Sequence, residues 1–388
     1  MKAKPCLKIC FVLTDPINLH SLYRNQFSYL TSRSVSVTAI ASPGPEHEWI
    51  QEQGAKSIPI KIARNPELFS DLVSLIKIWF FFLFNRFDIV VVSTPKASLL
   101  GALAARLSFQ SRLIFMIRGR AYENMFGFKR RLFRFFDILV CRLSHRVQSI
   151  SKELANKYVD EGICPRHKII VLGLGSSNGV DLSKFSPRLY LHKKNAIRTN
   201  LSIDEEAFVF MFCGRIRRDK GINELVGAFR RFTSDLRGGA NSILLIVGRY
   251  EDFDPLNTDT RSFLENSPQI RFVQWARYVE QYFSIADVFV FPSYREGFGN
   301  VALEASAMEL PVIAFDVVGC REAVEADRSG LLVEAFNEEA LFEAMIDLYQ
   351  DSDLRQRLGK YGRERIERYF DSELVWARLL DFYREVAS

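Results

Sequence analysis

DVFVFPSYREGFGNVALEASAMELPVIAFD, residues 287–316, is the stretch on which the fold turns. DVFVFPS (287–293) is a short apolar run rich in β-branched and aromatic residues and closed by Pro and Ser, as a buried parallel strand would be. YREGFGN is a glycine-rich turn, and a helix is expected to begin near Asn300 and run through NVALEASAME. PVIAFD (311–316) is a second apolar run. Strand, turn, helix and strand in this order form a βαβ unit with parallel strands.

The alternation extends in both directions. Upstream in the same half lie strand patterns AFVFMFCGR (207–215), SILLIVG (242–248) and IRFVQW (270–275), with helical patterns INELVGAFRRFTSDL and VEQYFSIA; GLLVE (330–334), EEALFEAMIDLYQ and DLRQRLGKYGRERIERYF follow. The first half repeats the plan with LKICFVLT (7–14), SVTAIAS (36–42), FDIVVVST (87–94), RLIFMIR (112–118), HRVQSIS (145–151) and KIIVLG (168–173). PELFSDLVSLIKIWFFFLF and NMFGFKRRLFRFFDILVCRL are the main helical patterns between them. Residues 173–201 mix Gly, Ser, Pro and Lys without periodicity and read as the crossing between domains. The expectation is α/β: two facing, doubly wound domains, 1–189 and 190–370, with an interdomain cleft lined by the carboxyl ends of both sheets. Residues 371–388 are expected to return to the N-terminal domain.

Composition agrees with two folded domains. The chain has 388 residues, too many for one core, with 48% hydrophobic and 25% charged residues. Its six cysteines (6, 10, 141, 164, 213 and 320) form no CxxC pair, which suits a reduced, cytoplasmic chain without structural zinc. MKAKPCLKICFVLTDP does not read as a secretory signal. The most lipid-like run, IWFFFLF (78–84), is bounded by Lys77 and Asn85, far short of the ~20 residues a spanning helix needs. The net charge of +6 is unevenly divided: residues 1–188 carry 27 Lys+Arg and 13 Asp+Glu (+14), and 189–388 carry 25 and 33 (−8). The basic half implies an anionic partner, for which nucleic acid or a membrane surface would serve.

The turn after DVFVFPS has the layout of an anion site. Helix N-termini present N–H groups without intrahelical partners and about half a positive charge, and Gly297 and Gly299 permit close backbone approach. The plain alternative is a turn kept tight for packing. CGRIRRDKGI adds Arg215 and Lys220 just before a helix; by itself it could be a solvated basic loop, since Arg217 and Arg218 share it. Together the two segments favour a site for a diphosphate. Glu296 and Glu304 flank the turn, and a carboxylate can grip the hydroxyls of a vicinal diol. No DxD-type pair stands in a suitable loop; DFDP (252–255) comes nearest and reads as a plain loop.

GRIRRDKG, the run ADVFVFPSYREGFGNVALEASAMELPVIAFDVVGCREAV and GLLV resemble the donor domain of retaining glycosyltransferases of family four, with their E-x7-E motif and GT-B architecture. The first domain resembles the family in layout and in NGVD (178–181). The resemblance implies that Arg215 and Lys220 hold the donor diphosphate, and that amides of Phe298, Gly299, Asn300 and Val301, beside Gly297, cap a phosphate. It assigns Glu304 to the ribose, Glu296 to the donor sugar, and Gly248, Trp275, Ala276 and Arg277 to the nucleotide. It implies no metal and no cofactor, the nucleotide sugar being a co-substrate.

Two features depart from the family pattern. The turn after the first strand, TDPINLHS, lacks glycine, and Arg118 stands where many relatives have His. Arg118 would bind a phosphate of donor or acceptor, or be a salt-bridged strand end. Glu123 would orient Arg118 or the acceptor, and Asn178 and Gly179 are candidates for acceptor contact or hinge. GFKRRLFRFFDILVCRL (127–143) interleaves Lys129, Arg130, Arg131 and Arg134 with Phe128, Phe133, Phe135 and Phe136: either a surface for anionic headgroups or a helix packed on the sheet. IWFFFLF (78–84) would extend that surface or be buried core, and buried core is the reading taken.

The expected activity is transfer of a sugar, with UDP as the first candidate carrier, to a glycan acceptor on a polyprenyl diphosphate. Capsule or lipopolysaccharide assembly is the setting, at the inner face of the plasma membrane through the basic domain, with no nucleic acid partner. The alternatives are a UDP-sugar epimerase of the same build, for which His20, His145 and His167 are poorly placed, and a non-catalytic membrane- or nucleic-acid-binding relative.

Overall fold

The computed structural model describes residues 6–388 except 64–66, 121, 124, 236, 238, 240, 252, 253, 275 and 277, and the side chain of His20. Two compact units divide the chain: Met1–Asn178 with Glu373–Ser388, and Gly179–Ser372. The division thus falls before the 189/190 boundary expected from sequence. The stretch read as the crossing, 173–201, also contains a helix, Lys194–Asn200, beyond the break.

In the first unit the strands are β1 (Leu7–Val12), β2 (Val35–Ala41), β3 (Lys56–Pro59), β4 (Ile89–Ser93), β5 (Arg112–Ile117), β6 (Arg146–Ser149) and β7 (Ile169–Val171). They form one parallel sheet in the order β3-β2-β1-β4-β5-β6-β7. Alternate residues of β1 enter different cores. Ile9, Phe11 and Leu13 pack with Tyr23, Phe27 and, from the last helix, Leu379 and Tyr383. Cys10 and Val12 pack with Ile78, Phe82, Leu100 and Val140. A strand covered on both faces has no polar side to alternate with, so it reads as a continuous apolar run. β3 escaped the sequence reading because KSIP is an edge strand with no such run.

The second unit has β8 (Phe208–Cys213), β9 (Ser242–Val247), β10 (Ile270–Val273), β11 (Val288–Phe291), β12 (Val312–Phe315) and β13 (Gly330–Val333), again all parallel, in the order β10-β9-β8-β11-β12-β13. Helices Ile222–Ser234 and Glu338–Gln350 bury Leu225, Phe229, Phe232, Leu341 and Met345 against Phe210, Phe212 and Ile313. In each unit the strand order reverses beside its first strand, between β1 and β4 and between β8 and β11. The turns leaving those strands border the crevice where such sheets hold ligands.

The helix Leu68–Phe84 is only half of what the sequence suggested. Ile78 and Phe82 are buried, but Leu68, Phe69, Leu72, Ile76, Phe80 and Phe84 are exposed. A helix lying on a sheet turns only one stripe inward, so apolar residues all round it cannot all be core. No helix among the described residues is long and apolar enough to cross a membrane.

Candidate active site

The reversal point of the second sheet is assembled by a close backbone approach. The turn after β8 ends in Gly221 at φ +68°, where a Cβ would lie 1.9 Å from the carbonyl oxygen of Pro292. Only glycine fits, and the contact sets residue 220 beside residue 293. The backbone confirms the seam: Tyr294 N–H donates to the Asp219 carbonyl at 3.0 Å. Lys220 Nζ then lies 3.3 Å from Ser293 Oγ and forms an ion pair with Glu296, whose Oε1 accepts from Ser293 Oγ at 2.8 Å. The side chains of Lys220 and Glu296 are only 12% and 18% exposed, so this charge pair is largely shielded from water. Ser293 is fully buried beneath them.

Behind this cluster runs a chain of alternating charges. Arg215, about half exposed, approaches Glu251 at 3.5 Å; Glu251 also meets Arg217 at 3.2 Å; and Arg217 pairs with Asp219. Arg295 lies 3.8 Å from Asp219. Asp254 accepts from the Asp219 amide at 2.9 Å and pairs with Arg218 at 3.2 Å. The loop read as plain from sequence therefore clamps the 218–219 turn; its Asp252 lies outside the described residues. Sequence reasoning also missed Ser293 and Asp219. Ser293 closed the apolar run as a strand terminator, and Asp219 stood among cations with nothing to mark it as their partner.

The glycine turn delivers the helix Asn300–Ala307. Gly299 sits at φ +73° as its N-cap, and the buried Phe298 ring packs 5.7 Å from Phe370, fixing the turn from below. Gly297, Asn300 and Val301 are half-buried at the helix mouth, and Glu304, one turn in, is 5% exposed. Gly248 follows β9 and passes close to the next turn: a Cβ there would lie 1.8 Å from the Gly214 carbonyl oxygen. Ala276 is half-buried after β10; Trp275 and Arg277 lie outside the described residues. Burial, followed by its 2.7 Å bond to Glu224, raises the Tyr294 pKa and keeps it a donor.

The reversal point of the first sheet carries different chemistry. Thr14 after β1 and Thr94 after β4 pair hydroxyl to hydroxyl at 2.9 Å, and Thr94 adopts φ +70°, strained for a β-branched residue. Arg118, after β5, donates from Nε to Ser93 Oγ at 3.3 Å and from Nη1 to Ser177, and its guanidinium lies 4.9 Å from the Tyr23 ring centre. Its Nη2 is buried without a partner among the described residues. Arg118 is thus held by hydroxyls rather than by a carboxylate. Glu123 pairs with Lys157 at 3.2 Å, not with Arg118. Asn178 is buried in the first unit, its Oδ1 accepting from Trp376 Nε1 at 2.7 Å and Gln26 Nε2 at 3.1 Å; Gly179 opens the second unit at φ +67°. His145 accepts from the Leu113 amide at 2.9 Å, and burial, then Arg106, lowers its pKa to about 4.

The family model for glycosyl transferases group 1 matches residues 193–365, and that for a glycosyl transferase 4-like domain matches 23–175. The capsular polysaccharide biosynthesis glycosyltransferase CapM of Staphylococcus aureus is 33% identical over 362 residues, 93% of each chain. The chain belongs to the group 1 glycosyltransferases, of the family-four type. A second relative of this glycosyltransferase, the Escherichia coli UDP-Gal:alpha-D-GlcNAc-diphosphoundecaprenol alpha-1,3-galactosyltransferase, is 23% identical over 97% of this chain and 96% of its own. Anabaena HepE, solved with UDP and glucose, shares the fold at a TM-score of 0.82 and 15% identity, over 98% and 100% of the two chains. The glycosyltransferase is thus an α/β protein of the GT-B class, with one Rossmann-like sheet in each unit.

Proposed function

We propose that this glycosyltransferase moves a sugar, with retention of anomeric configuration, from a UDP-sugar to a hydroxyl of a glycan carried on a polyprenyl diphosphate, in the assembly of a surface polysaccharide. The observation that carries the donor half is the cluster of Lys220, Ser293 and Glu296 at the reversal point of the second sheet, beside the mouth of the helix Asn300–Ala307. A shielded cation and a helix N-terminus are what a departing diphosphate requires. The name of the Escherichia coli relative supports the acceptor half: it is a galactosyltransferase of a diphosphoundecaprenol-linked substrate.

In this reading the Lys220–Glu296 pair is a resting arrangement. The diphosphate takes over Lys220, and Glu296, still bonded to Ser293, turns its other acceptor capacity to sugar hydroxyls. Glu304 grips the ribose. As the bond from sugar to phosphate breaks, Lys220, Arg215 and the helix N-terminus stabilise the growing charge without a metal. The leaving phosphate takes the acceptor proton. Arg118, whose Nη2 has no partner among the described residues, binds the phosphate of the acceptor. The location is peripheral, on the inner face of the plasma membrane.

The test is UDP release from UDP-, GDP- and ADP-sugars with a polyprenyl-diphosphate glycan acceptor, with the product anomer read by NMR. Release only with UDP-sugars, dependence on the acceptor, retention, and insensitivity to EDTA are expected. Inversion, or epimerisation of the donor without acceptor, would overturn the reading.

A further inference from the structure

The first unit carries a surface that the glycosyltransferase site does not use. Helices Leu68–Phe84, Pro95–Leu107 and Gly127–Leu143 follow β3, β4 and β5 and lie side by side on one face of the sheet. Inward they share one core through Ile78, Phe82, Leu100 and Val140. Outward, Phe69, Leu72, Ile76, Phe80 and Phe84 are 83%, 54%, 49%, 57% and 74% exposed. Their spacing of three or four residues sets them in one stripe along the helix, which is about 25 Å long. Lys77 is the one exposed charge on that helix. Leu107 and Phe109 extend the apolar surface at 57% and 84%, and Phe128 and Phe135 continue it on the third helix at 77% and 54%.

Isolated exposed leucines need no explanation, but a stripe of five large apolar side chains along one helix does. The charge beside it identifies the occupant. Lys129, Arg130, Arg131 and Arg142 are exposed on the third helix, interleaved with Phe128 and Phe135. A second copy would set these cations against their own kind, whereas an anionic bilayer satisfies both components. Each helix starts at the carboxyl end of the strand before it, so Phe69 and Phe128 sit at the same sheet edge as Arg118.

We propose that this three-helix face anchors the enzyme on an anionic bilayer, with the stripe from Phe69 to Phe84 lying in the membrane plane and entering the acyl boundary. The inference rests on the reading that the acceptor is lipid-linked. It goes beyond charge attraction, because a purely electrostatic dock would leave the stripe in water.

Flotation of the full chain with vesicles tests it, using phosphatidylcholine alone and phosphatidylcholine with phosphatidylglycerol. Binding to the anionic vesicles is expected, with a fraction surviving about 1 M salt, where screening falls to roughly 3 Å. The triple substitution Leu72→Ser, Ile76→Ser, Phe80→Ser should lower partitioning by about tenfold or more, whereas Leu191→Ser in the other unit should not. An unchanged thermal shift with UDP would show that the triple variant is folded. Phe80→Trp should be quenched by brominated acyl chains. Vesicle binding without that quenching, or a dimer that the triple substitution dissolves, would overturn the anchor. Turnover of a lipid-linked acceptor in detergent by a chain that binds no vesicle would sink the anchor and leave the proposed function standing. Anchoring without turnover of any lipid-linked acceptor would do the reverse.

Discussion

The two units share a sheet plan and differ in what stands at its reversal point. In the second, a glycine contact brings a lysine, a serine and a glutamate together beside a helix mouth. In the first, two threonine hydroxyls and an arginine held by serines occupy the equivalent turns, with no glycine after β1. The strand order fixes where a ligand can sit; the loops decide its chemistry. Under the proposed function, a charge-paired crevice suits a donor whose diphosphate is the same in every turnover. Under the same proposal, a hydroxyl-lined crevice with one guanidinium suits an acceptor recognised partly by its sugar.

The largest effect should come from the second unit. Lys220→Ala is expected to lower kcat/KM by about 10²–10³, with kcat falling too, because its charge matters most as the phosphate departs. A loss confined to KM would make Lys220 a binding residue only. Next, Glu304→Gln should weaken free UDP binding by about 1.5–3 kcal/mol in calorimetry. Glu296→Ala should instead lower turnover and leave UDP affinity unchanged or tighter, since it frees Lys220 from its resting partner. Equal losses of UDP affinity in both variants would erase the division between ribose and sugar ends.

Moving to the first unit, Arg118→Ala should raise the acceptor KM about tenfold and leave UDP binding intact, as for one charge-assisted contact. A fall in UDP affinity instead would assign Arg118 to the donor and blur the contrast between the crevices. The smallest effect concerns Asp137, a half-buried carboxylate on the basic helix Gly127–Leu143 itself. Burial pushes the Asp137 carboxyl up to about 6, against the 2.6 Å hydrogen bond from Tyr158. The native state then holds this proton more tightly than the unfolded chain, so stability is fully present below pH ~4 and is lost as pH rises through 6. Asp137→Asn should gain about 1 kcal/mol above pH 7 in urea unfolding and nothing below pH 4. A gain independent of pH would mean that the carboxylate is not the cause.

Residue pattern alone determined much of this protein. Strands buried on both faces announce themselves as apolar runs, and among the described residues twelve of the thirteen strands overlap stretches read as strands; β3 does not, because an edge strand ending in Pro59 has no such run. The glycine turn and the helix at Asn300 were legible because a Gly-rich stretch between an apolar run and a helical pattern is a short-range signal; Lys220, Glu296 and Glu304 were singled out there as candidates, with roles implied by the family resemblance. Tertiary structure decided what depends on distance through space. It paired Lys220 with Glu296 across 76 positions and set Ser293 beneath both. It turned Asp254 into a clamp on the 218–219 turn, and it gave Glu123 to Lys157. It also decided which face of the helix Leu68–Phe84 meets water, because a stretch that is apolar all round does not say which stripe the sheet will cover.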